Sequence, residues 1–397
     1  MTGLRSRAAD PSGQRLGPGS GRRPTGKDKY PNPTETEAII MGIRTGLIGY
    51  GLSGSVFHAP LIAAEEGLQL TGVVTSQTDK VREDYENVDV YEDVEALLGS
   101  GVELVVVASP NTLHYEHAKS AILAGKHVVV EKPFTNTVRE AEELIQLARD
   151  KGVLLSVFHN RRWDNDFLTV RQVLDSGTIG RISVYEAHYD RYSPEVEVET
   201  RWRDQPLPGS GILYDLGAHL IDQAVQVLGS PDSIWADLRL DREEAETVDY
   251  FHLVLAYPQS RAILRAGTLV RQAGPRFMVH GDLGSYIKYG LDPQEDQLKA
   301  GLRPGDADWG ADKEECYGEL TTAVGDLTMR TKIDTLPGSY QEYYRGIAEA
   351  ISGGGKPPVR AEEALEVIRL IEAAHRSARE RRVIDLSPVP GEAAQID

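Results

Sequence analysis

The sequence has only one cysteine, no excess of basic residues and no long apolar run. The single cysteine, Cys316, excludes an intramolecular disulfide and argues against a cysteine-ligated metal. No apolar run approaches the roughly 18 residues of a membrane span, and no signal-peptide core is present. Lys and Arg total 43 against 61 Asp and Glu, and the net charge of -18 argues against a nucleic-acid partner. We therefore expect a cytoplasmic protein without metal that binds neither membrane nor nucleic acid.

The length of the chain and the composition of its N-terminus indicate how it is organised. A chain of 397 residues is long enough for two domains. Residues 1–41 are rich in Gly, Pro and Arg and show no apolar period, so they are expected to form a disordered tail. Their basic residues are compatible with an anion-binding arm, but we favour an extension without a role in the fold.

Apolar strands alternate with helical patterns from Gly42 to Asn160. Segments such as GIRTGLIG, ELVVVAS, HVVV and VLLSVFH are nearly continuous apolar runs separated by amphipathic segments. This alternation predicts a doubly wound parallel sheet over residues 42–160. Residues 161–397 instead contain closely spaced period-two strands and two final helices. They predict an α+β domain with an antiparallel or mixed sheet, and the whole fold is therefore α/β.

A glycine-rich turn lies between the first strand and the first helix. GYGLSG places Gly49, Gly51 and Gly54 in a G-x-G-x-x-G pattern. In this context the first glycine permits a tight turn, the second lets the backbone approach a pyrophosphate, and the third allows close helix packing. The sequence therefore predicts a dinucleotide site, although a plain Gly-rich turn is the alternative.

The end of the second predicted strand indicates which dinucleotide binds. NAD enzymes usually carry a carboxylate there, on the ribose 2′-hydroxyl. This chain has Thr75 and Ser76 instead, with Lys80 or Arg82 nearby to balance a 2′-phosphate. We therefore predict NADP, with NAD possible because Asp79 would reach the ribose if the strand were longer.

Polar residues follow three of the predicted parallel strands. They are Ser109 to Asn111, Glu131 to Pro133, and His159 with Asn160. Because ligands bind beyond the carboxyl ends of such strands, Lys132 is predicted to face the nicotinamide. The alternative is a surface lysine paired with Glu131. A cis peptide bond before Pro133 is compatible with a functional turn.

The segment from Ile212 to Leu228 predicts a helix that is apolar on nearly all sides. At 100° per residue, Asp215, His219 and Asp222 form one polar stripe on it. One interpretation is a core histidine satisfied by Asp215 one turn earlier. The favoured interpretation is a catalytic base with a nearby carboxylate that either orients it or holds substrate, because histidine suits proton transfer near neutral pH.

The motifs GYGLSG, SPNTLH, AGKHVVVEKPF, FHNRRW and DLGAH together resemble the Gfo/Idh/MocA oxidoreductase family from Gly42 onward. Within the family, GYGLSGSVFHAP and HNRRWDNDF are similar to an NADP-dependent scyllo-inositol dehydrogenase branch. The resemblance implies a Rossmann domain followed by a predominantly antiparallel, open-faced sheet that pairs in dimers or tetramers. It also implies Lys132, Asp215 and His219 as the catalytic residues.

Other site residues follow from the strand ends and from the resemblance. The predicted cofactor-binding residues are Gly49, Tyr50, Gly51, Ser53, Gly54, Thr75, Ser76, Ser109, Asn111, His114, Glu131 and Lys132. For His114, a surface position at a helix start is a near-equal alternative. The predicted substrate-binding residues are Lys132, Arg161, Trp163, Asp215 and His219. An interdomain salt-bridge cluster is an equal alternative for residues 161–163, and Trp202 and Arg203 either close over the site or pack beside it.

The function that these residues favour is hydride transfer between a nicotinamide and a secondary alcohol of a sugar or inositol-like polyol. Two alternatives keep the fold. One is NADP-dependent reduction of another small substrate, such as a dihydrodiol or a keto sugar. The other is a non-catalytic, NADP-responsive regulator.

Overall fold

The structure is a computed structural model that describes residues 42–197 and 202–387. The tail predicted over residues 1–41 lies outside the described residues, and so does the side chain of Trp202. The domain limits predicted from the sequence stay predictions.

The first part of the described chain alternates strands and helices, as the apolar pattern predicts. A π-helical turn, Ser53–His58, leads directly into the first α-helix. The elements in chain order are β1 (Ile43–Ile48), α1 (Ala59–Ala63), β2 (Leu68–Val74), α2 (Thr78–Asp84), β3 (Asp89–Tyr91), α3 (Val94–Gly99), β4 (Leu104–Val107), α4 (His114–Leu123), β5 (His127–Glu131), α5 (Val138–Lys151) and β6 (Leu155–Phe158).

These strands form one parallel sheet in the order β3-β2-β1-β4-β5-β6. All residues of β4 and β6 are buried, as expected for strands covered on both faces. The order reverses between β1 and β4, so the crevice beyond their carboxyl ends is the expected ligand site of this sheet. Lys132 follows β5, the next strand after β4.

Local signals set the limits of the helix that follows Lys132. Thr137 caps α5 through its hydroxyl, which accepts from the backbone N–H of Glu140, and the Glu140 side chain accepts from the backbone of Thr137. Gly152 ends the helix with φ of 65°, a left-handed conformation that suits glycine.

The second part of the described chain contains a larger sheet and most of the remaining helices. Its elements in chain order are α6 (Asn165–Asp175), β7 (Ile182–Asp190), α7 (Ala218–Leu228), β8 (Ser233–Arg239), β9 (Tyr250–Ala256), β10 (Arg261–Gly267), β11 (Phe277–Gly281), β12 (Gly284–Lys288), α8 (Gln294–Lys299), β13 (Gly318–Val324), β14 (Leu327–Ile333), α9 (Gln341–Gly353), α10 (Ala361–Glu380) and β15 (Ile384–Asp385). A π-helical segment, Leu213–Gly217, leads directly into α7.

Nine strands form this sheet in the order β14-β13-β12-β11-β7-β10-β9-β8-β15. Within the described chain, β7 and β10 pair in parallel and the other neighbours pair antiparallel. Buried residues alternate along β9, so one face of the strand is covered. Helix α7 packs on β7 and β10, and α10 packs on β8. The predicted fold class, a parallel sheet followed by a predominantly antiparallel one, is confirmed.

The last two helices pack against the first sheet, and α10 also reaches the second. Helix α9 contacts α1, and α10 contacts both α5 and α7. Tyr343 and Tyr344 of α9 reach the first sheet, where their hydroxyls lie 2.8 Å from Ser156 Oγ and 2.6 Å from His58 Nδ1. This packing fixes the carboxyl end of β5 opposite the beginning of α7.

Candidate active site

The glycine turn has the geometry of a phosphate cradle. Gly49 has φ of 100°, and a Cβ there would lie 2.5 Å from the Ala108 carbonyl oxygen. A Cβ on Gly54 would lie 2.1 Å from the Gly49 carbonyl oxygen. A Cβ on Gly51 would meet no atom within 4 Å, so the backbone there borders open space. Only the middle position is therefore open to an approaching ligand, and the turn fits a dinucleotide pyrophosphate.

The end of β2 supplies hydroxyl and amide groups where NAD enzymes carry a carboxylate. Strand β2 ends at Val74, and Asp79 lies in α2. The Thr75 hydroxyl accepts from the Gln77 N–H at 3.0 Å, and Lys80 Nζ donates to Ser55 Oγ at 3.0 Å. The longer strand that would have carried Asp79 to the ribose is not formed.

The neighbouring Tyr50 is held in place from two sides. Its hydroxyl donates to Asp84 Oδ2 at 2.8 Å, and Lys80 Nζ lies 5.4 Å from the centre of its ring. Burial and the Asp84 carboxylate raise the pKa of Tyr50. The ring thus forms a fixed wall beside the glycine turn.

Lys132 lies at the centre of the site and binds across to the second sheet. Its Nζ donates to Asp215 Oδ1 at 2.9 Å and to the Asp215 carbonyl oxygen at 3.1 Å. The Lys132–Pro133 peptide bond is cis, as the sequence suggested. The alternative of a surface lysine paired with Glu131 is wrong, because Lys132 is partly buried and pairs with Asp215.

Asp215 lies between two cations. Arg203 Nη1 donates to its Oδ2 at 2.6 Å, so Lys132 and Arg203 each bind one carboxylate oxygen. Burial alone would raise the pKa of Asp215, but the two cations more than offset it and hold that pKa below its ordinary value. Asp215 is therefore a carboxylate at neutral pH and fixes the Lys132 ammonium. From the sequence, Arg203 was predicted only to close over the site or to pack beside it.

His219 is buried one turn after Asp215, and the alternative of a core histidine satisfied by Asp215 is wrong. Its Nδ1 is buried and has no hydrogen-bond partner among the residues that the structure describes. Asp215 lies in the π-helical segment Leu213–Gly217, where the spacing of 100° per residue does not apply, and its oxygens bind Lys132 and Arg203 instead. Burial, reinforced by the positive charge of Lys132, lowers the pKa of His219 well below 6.5. The imidazole is therefore neutral, the state in which it can accept a proton.

Asp222, the third member of the predicted polar stripe, has a structural partner instead. Its two oxygens accept from Arg162 Nε at 2.9 Å and Nη2 at 2.6 Å. The same guanidinium donates to Glu363 Oε2 at 2.9 Å. The predicted stripe is thus divided, because Asp222 links α7 to Arg162 and α10 instead of facing the site. Arg162 therefore forms salt bridges, which was the alternative predicted for residues 161–163.

Glu131 faces the glycine turn and not Lys132. Its Oε1 accepts from Ser53 Oγ at 2.6 Å and lies 3.5 Å from His58 Nε2. Burial tends to raise the pKa of Glu131, but His58, Lys132 and Ser53 together lower it. Ser53 and Glu131, both predicted to bind cofactor, therefore connect β5 to the turn in this structure.

The loop after β4 contacts the loops on either side of it. Asn111 Nδ2 donates to the Gly209 carbonyl oxygen at 2.8 Å and to Asn136 Oδ1 at 3.2 Å. The sequence did not identify Asn136 or Gly209 as members of the site, since nothing in their local pattern distinguishes them from ordinary loop residues. The segment before α7 is thereby attached to the cofactor edge of the first sheet.

His114 is buried, so the alternative of a surface histidine is wrong. Its Nδ1 lies 2.8 Å from the Pro133 carbonyl oxygen, and its Nε2 lies 3.0 Å from that of Ser109. Burial lowers its pKa. The ring joins the loops that follow β4 and β5 and thus supports the backbone next to Lys132.

Arg161 and Trp163 lie in the short helical turn that follows β6 and make structural contacts there. Arg161 binds Glu295 Oε2 at 2.8 Å and Asp164 Oδ2 at 3.4 Å. The Trp163 ring packs edge-on against Tyr343, with 5.7 Å between ring centres. Arg161 thus forms the salt bridges of the alternative interpretation, and a substrate contact stays a prediction for both residues.

None of the described helices has the length and apolarity that crossing a membrane requires. Within the described residues, no cluster of three or more His, Cys, Asp or Glu side chains has the arrangement of a metal site.

Comparison with known proteins places this geometry in a family. Residues 43–159 match the Gfo/Idh/MocA model described as an oxidoreductase family NAD-binding Rossmann fold. Residues 171–386 match the model of the same family's C-terminal alpha/beta domain.

Proteins of known name and structure match most of the chain. Scyllo-inositol 2-dehydrogenase (NADP(+)) IolW of Bacillus subtilis is 49% identical over 345 residues, covering 87% of this chain and 96% of the relative. An uncharacterized oxidoreductase of Escherichia coli, YdgJ, is 46% identical, covering 87% of this chain and 99% of its own. A solved structure of the oxidoreductase yvaA from Bacillus subtilis superposes with a TM-score of 0.84 at 48% identity, covering 87% of this chain and 99% of the other.

These matches confirm the family, the oxidoreductase class and the nucleotide-binding Rossmann fold that the sequence predicted. The chain belongs to the Gfo/Idh/MocA oxidoreductase family.

Proposed function

We propose that the protein transfers hydride between NADP(H) and a secondary alcohol or ketone of an inositol-like polyol or a sugar. The observation that carries the proposal is the Lys132 ammonium, held 2.9 Å from Asp215 at the carboxyl end of β5. This cation lies at the edge of the sheet where the fold binds its dinucleotide. The Bacillus subtilis relative, an inositol dehydrogenase that uses NADP+, supports the polyol class and the cofactor.

The residues at the end of β2 support NADP over NAD. Thr75 and Ser76 carry hydroxyls that can donate to a 2′-phosphate, and Lys80 contributes a positive charge from α2. A carboxylate at this place would repel the phosphate. The chemistry that the nicotinamide supplies when bound is hydride acceptance and donation.

Each residue of the site has a distinct proposed task. The neutral imidazole of His219 accepts the hydroxyl proton of the alcohol as the hydride leaves the same carbon. The Lys132 ammonium donates a hydrogen bond to the oxygen, which gains negative charge. Asp215 holds Lys132 in place and is held in turn by Arg203. In the reverse direction, protonated His219 returns the proton to the carbonyl oxygen.

A substrate screen tests this function. The full chain is incubated with inositols, aldoses and their keto forms in the presence of NADP(H) or NAD(H), and absorbance of the reduced cofactor is followed. We expect turnover of at least one cyclic polyol or sugar, with higher kcat/KM for NADP. Cofactor binding without turnover of any compound would favour the non-catalytic regulator. A cytoplasmic location and assembly through the nine-stranded sheet stay predictions.

A further inference from the structure

A cavity lies at the opposite end of the parallel sheet from Lys132. It has a volume of about 620 Å³ and is bordered by the first residues of β5 and β6 and by the ends of α5 and α9. The loop from Gly354 to Pro357 and the first turn of α10 complete its wall. This volume is within the range of sites that bind small organic molecules.

The cavity combines an apolar interior with a cationic rim. Its apolar lining includes Ile145, Ala148, Leu155, Ala350 and Ile351. Its charged lining consists of Arg149, Lys356 and Arg360 against a single acid, Glu362. The surplus of positive charge contrasts with the net charge of -18 of the chain. A ligand with an apolar body and one negative group would complement both parts.

The rim cations are available to such a ligand. Arg149 pairs with Glu362 at 2.8 Å, but both side chains are largely exposed and such a pair contributes little. Lys356 is exposed and has no hydrogen bond or ion pair within the described chain. His127 Nδ1 accepts from the Leu154 N–H at 3.0 Å, and burial lowers the pKa of the ring. The neutral ring therefore carries its proton on Nε2, as a further donor.

We propose that this cavity binds a small organic anion whose apolar body fills the interior and whose carboxylate, phosphate or sulfonate lies at Lys356 and Arg360. The site is distinct from the candidate active site, because it lies at the amino ends of β5 and β6 and not beyond their carboxyl ends.

A chain of ion pairs connects the cavity to the helix that carries His219. Arg360 Nη2 binds Glu363 Oε1 at 3.1 Å, and Glu363 Oε2 binds Arg162 Nη1 at 2.9 Å. Arg162 in turn binds both oxygens of Asp222 on α7. An anion at Arg360 competes with Glu363 for that guanidinium and strengthens the hold of Glu363 on Arg162. Occupancy of the cavity therefore stabilises the attachment of α7.

Fluorescence titration with 8-anilinonaphthalene-1-sulfonate tests the proposal, since this probe has an apolar body and one sulfonate. The full chain is saturated with NADP+, which keeps the probe out of the dinucleotide site. Gly355→Trp fills the cavity, because a Cβ there meets only Ala350 Cα at 3.8 Å. Its matched control is Gly353→Trp, which has nothing within 4 Å and does not line the cavity. Lys356→Glu reverses one rim charge, with Lys151→Glu as the control outside the lining.

We expect saturable binding to the wild type, and a Kd weakened about tenfold or more by Gly355→Trp and Lys356→Glu but not by the controls. Glu363→Gln removes the competitor for Arg360 and should tighten the Kd roughly threefold. An unchanged Kd in Glu363→Gln overturns the connection to α7. No binding to the wild type, or equal binding to Lys356→Glu and wild type, overturns the site. If the probe fails to bind the wild type and light scattering shows that Gly355→Trp dissociates an oligomer, the surface around the cavity is an interface between copies of the chain.

Discussion

Lys132 Nζ lies 2.9 Å from Asp215 Oδ1, which joins the end of a parallel strand to the π-helical segment that leads into the helix of His219. The side chains are 16% and 12% exposed, so the pair is shielded but can still be reached from the site. A charge-assisted hydrogen bond in such surroundings is stronger than one on the surface. The pair therefore fixes the position of the ammonium before substrate binds.

Arg203 is expected to act by positioning Asp215. Arg203→Gln removes the bond of 2.6 Å to Oδ2 and leaves Asp215 with Lys132 alone. We expect kcat to fall by about 10- to 100-fold, since a hydrogen bond to a charged group contributes roughly 1.5–3 kcal/mol. The Kd for NADP+ should stay the same, and Arg203→Lys should restore part of kcat. A change in KM alone would instead indicate that Arg203 only binds substrate.

The pH dependence of alcohol oxidation should reflect a neutral His219. Burial and the charge of Lys132 lower its pKa well below 6.5, so the base form persists through the neutral range. We expect kcat/KM to be level around neutrality and to decline only at acid pH clearly below 6.5. The measurement is a pH profile from about 5 to 9, with residual activity after incubation at each pH as the control. An acid limb centred at or above 6.5 would contradict the assignment.

Cofactor preference should depend on the end of β2. Ser76→Asp places a carboxylate where a 2′-phosphate would lie, so the ratio of kcat/KM for NADP to that for NAD should fall by about tenfold or more. Asp79→Asn is the matched control, because Asp79 lies in α2 beyond the end of the strand. An equal effect of the two substitutions would show that the binding site was assigned to the wrong residues.

The Arg162–Asp222 pair should contribute to stability more than to chemistry. Their side chains are 6% and 3% exposed, and breaking such a buried pair costs about 3–5 kcal/mol. Burial alone would raise the pKa of Asp222, but Arg162 more than offsets this and lowers it below 3.8. The stabilisation is therefore present above pH 3.8 and lost as pH falls through the folded-state pKa.

Asp222→Asn tests this contribution through denaturant unfolding at neutral and acid pH. The substitution should lower the unfolding free energy at neutral pH. It should also make the unfolding free energy fall less than that of the wild type as the pH is lowered. Arg149→Gln, which removes an exposed pair with Glu362, should change the unfolding free energy by less than about 1 kcal/mol.

Much of the fold was predictable, because buried strands appear in the sequence as nearly continuous runs of apolar residues. The three valines before Glu131 identified β5, and the charges that follow it identified Lys132. The hairpin of β13 and β14 was not predicted, although Gly325 and Asp326 stand between the two strands. All residues of β14 except Ile333 are exposed, so the strand has no apolar alternation to reveal it.

The partners of polar side chains were less predictable than their positions. A helical projection places Asp215, His219 and Asp222 on one side, but it contains no information about which cation lies opposite each one. Arg162 and Arg203 are 60 and 12 residues away in sequence from the carboxylates that they bind. Only the tertiary fold brings these charges together, which is why the sequence did not reveal that Asp215 binds Lys132 and Arg203.

Comparison of Lys132→Ala with the wild type, on the best substrate of the polyol screen, shows whether Lys132 stabilises charge on the substrate oxygen. We expect kcat to fall by about 10²–10³, as for the loss of one donor to a developing oxyanion. The Kd for NADPH, followed by its fluorescence, should change little. Near-normal turnover by Lys132→Ala would show that Lys132 does not stabilise charge on the substrate oxygen.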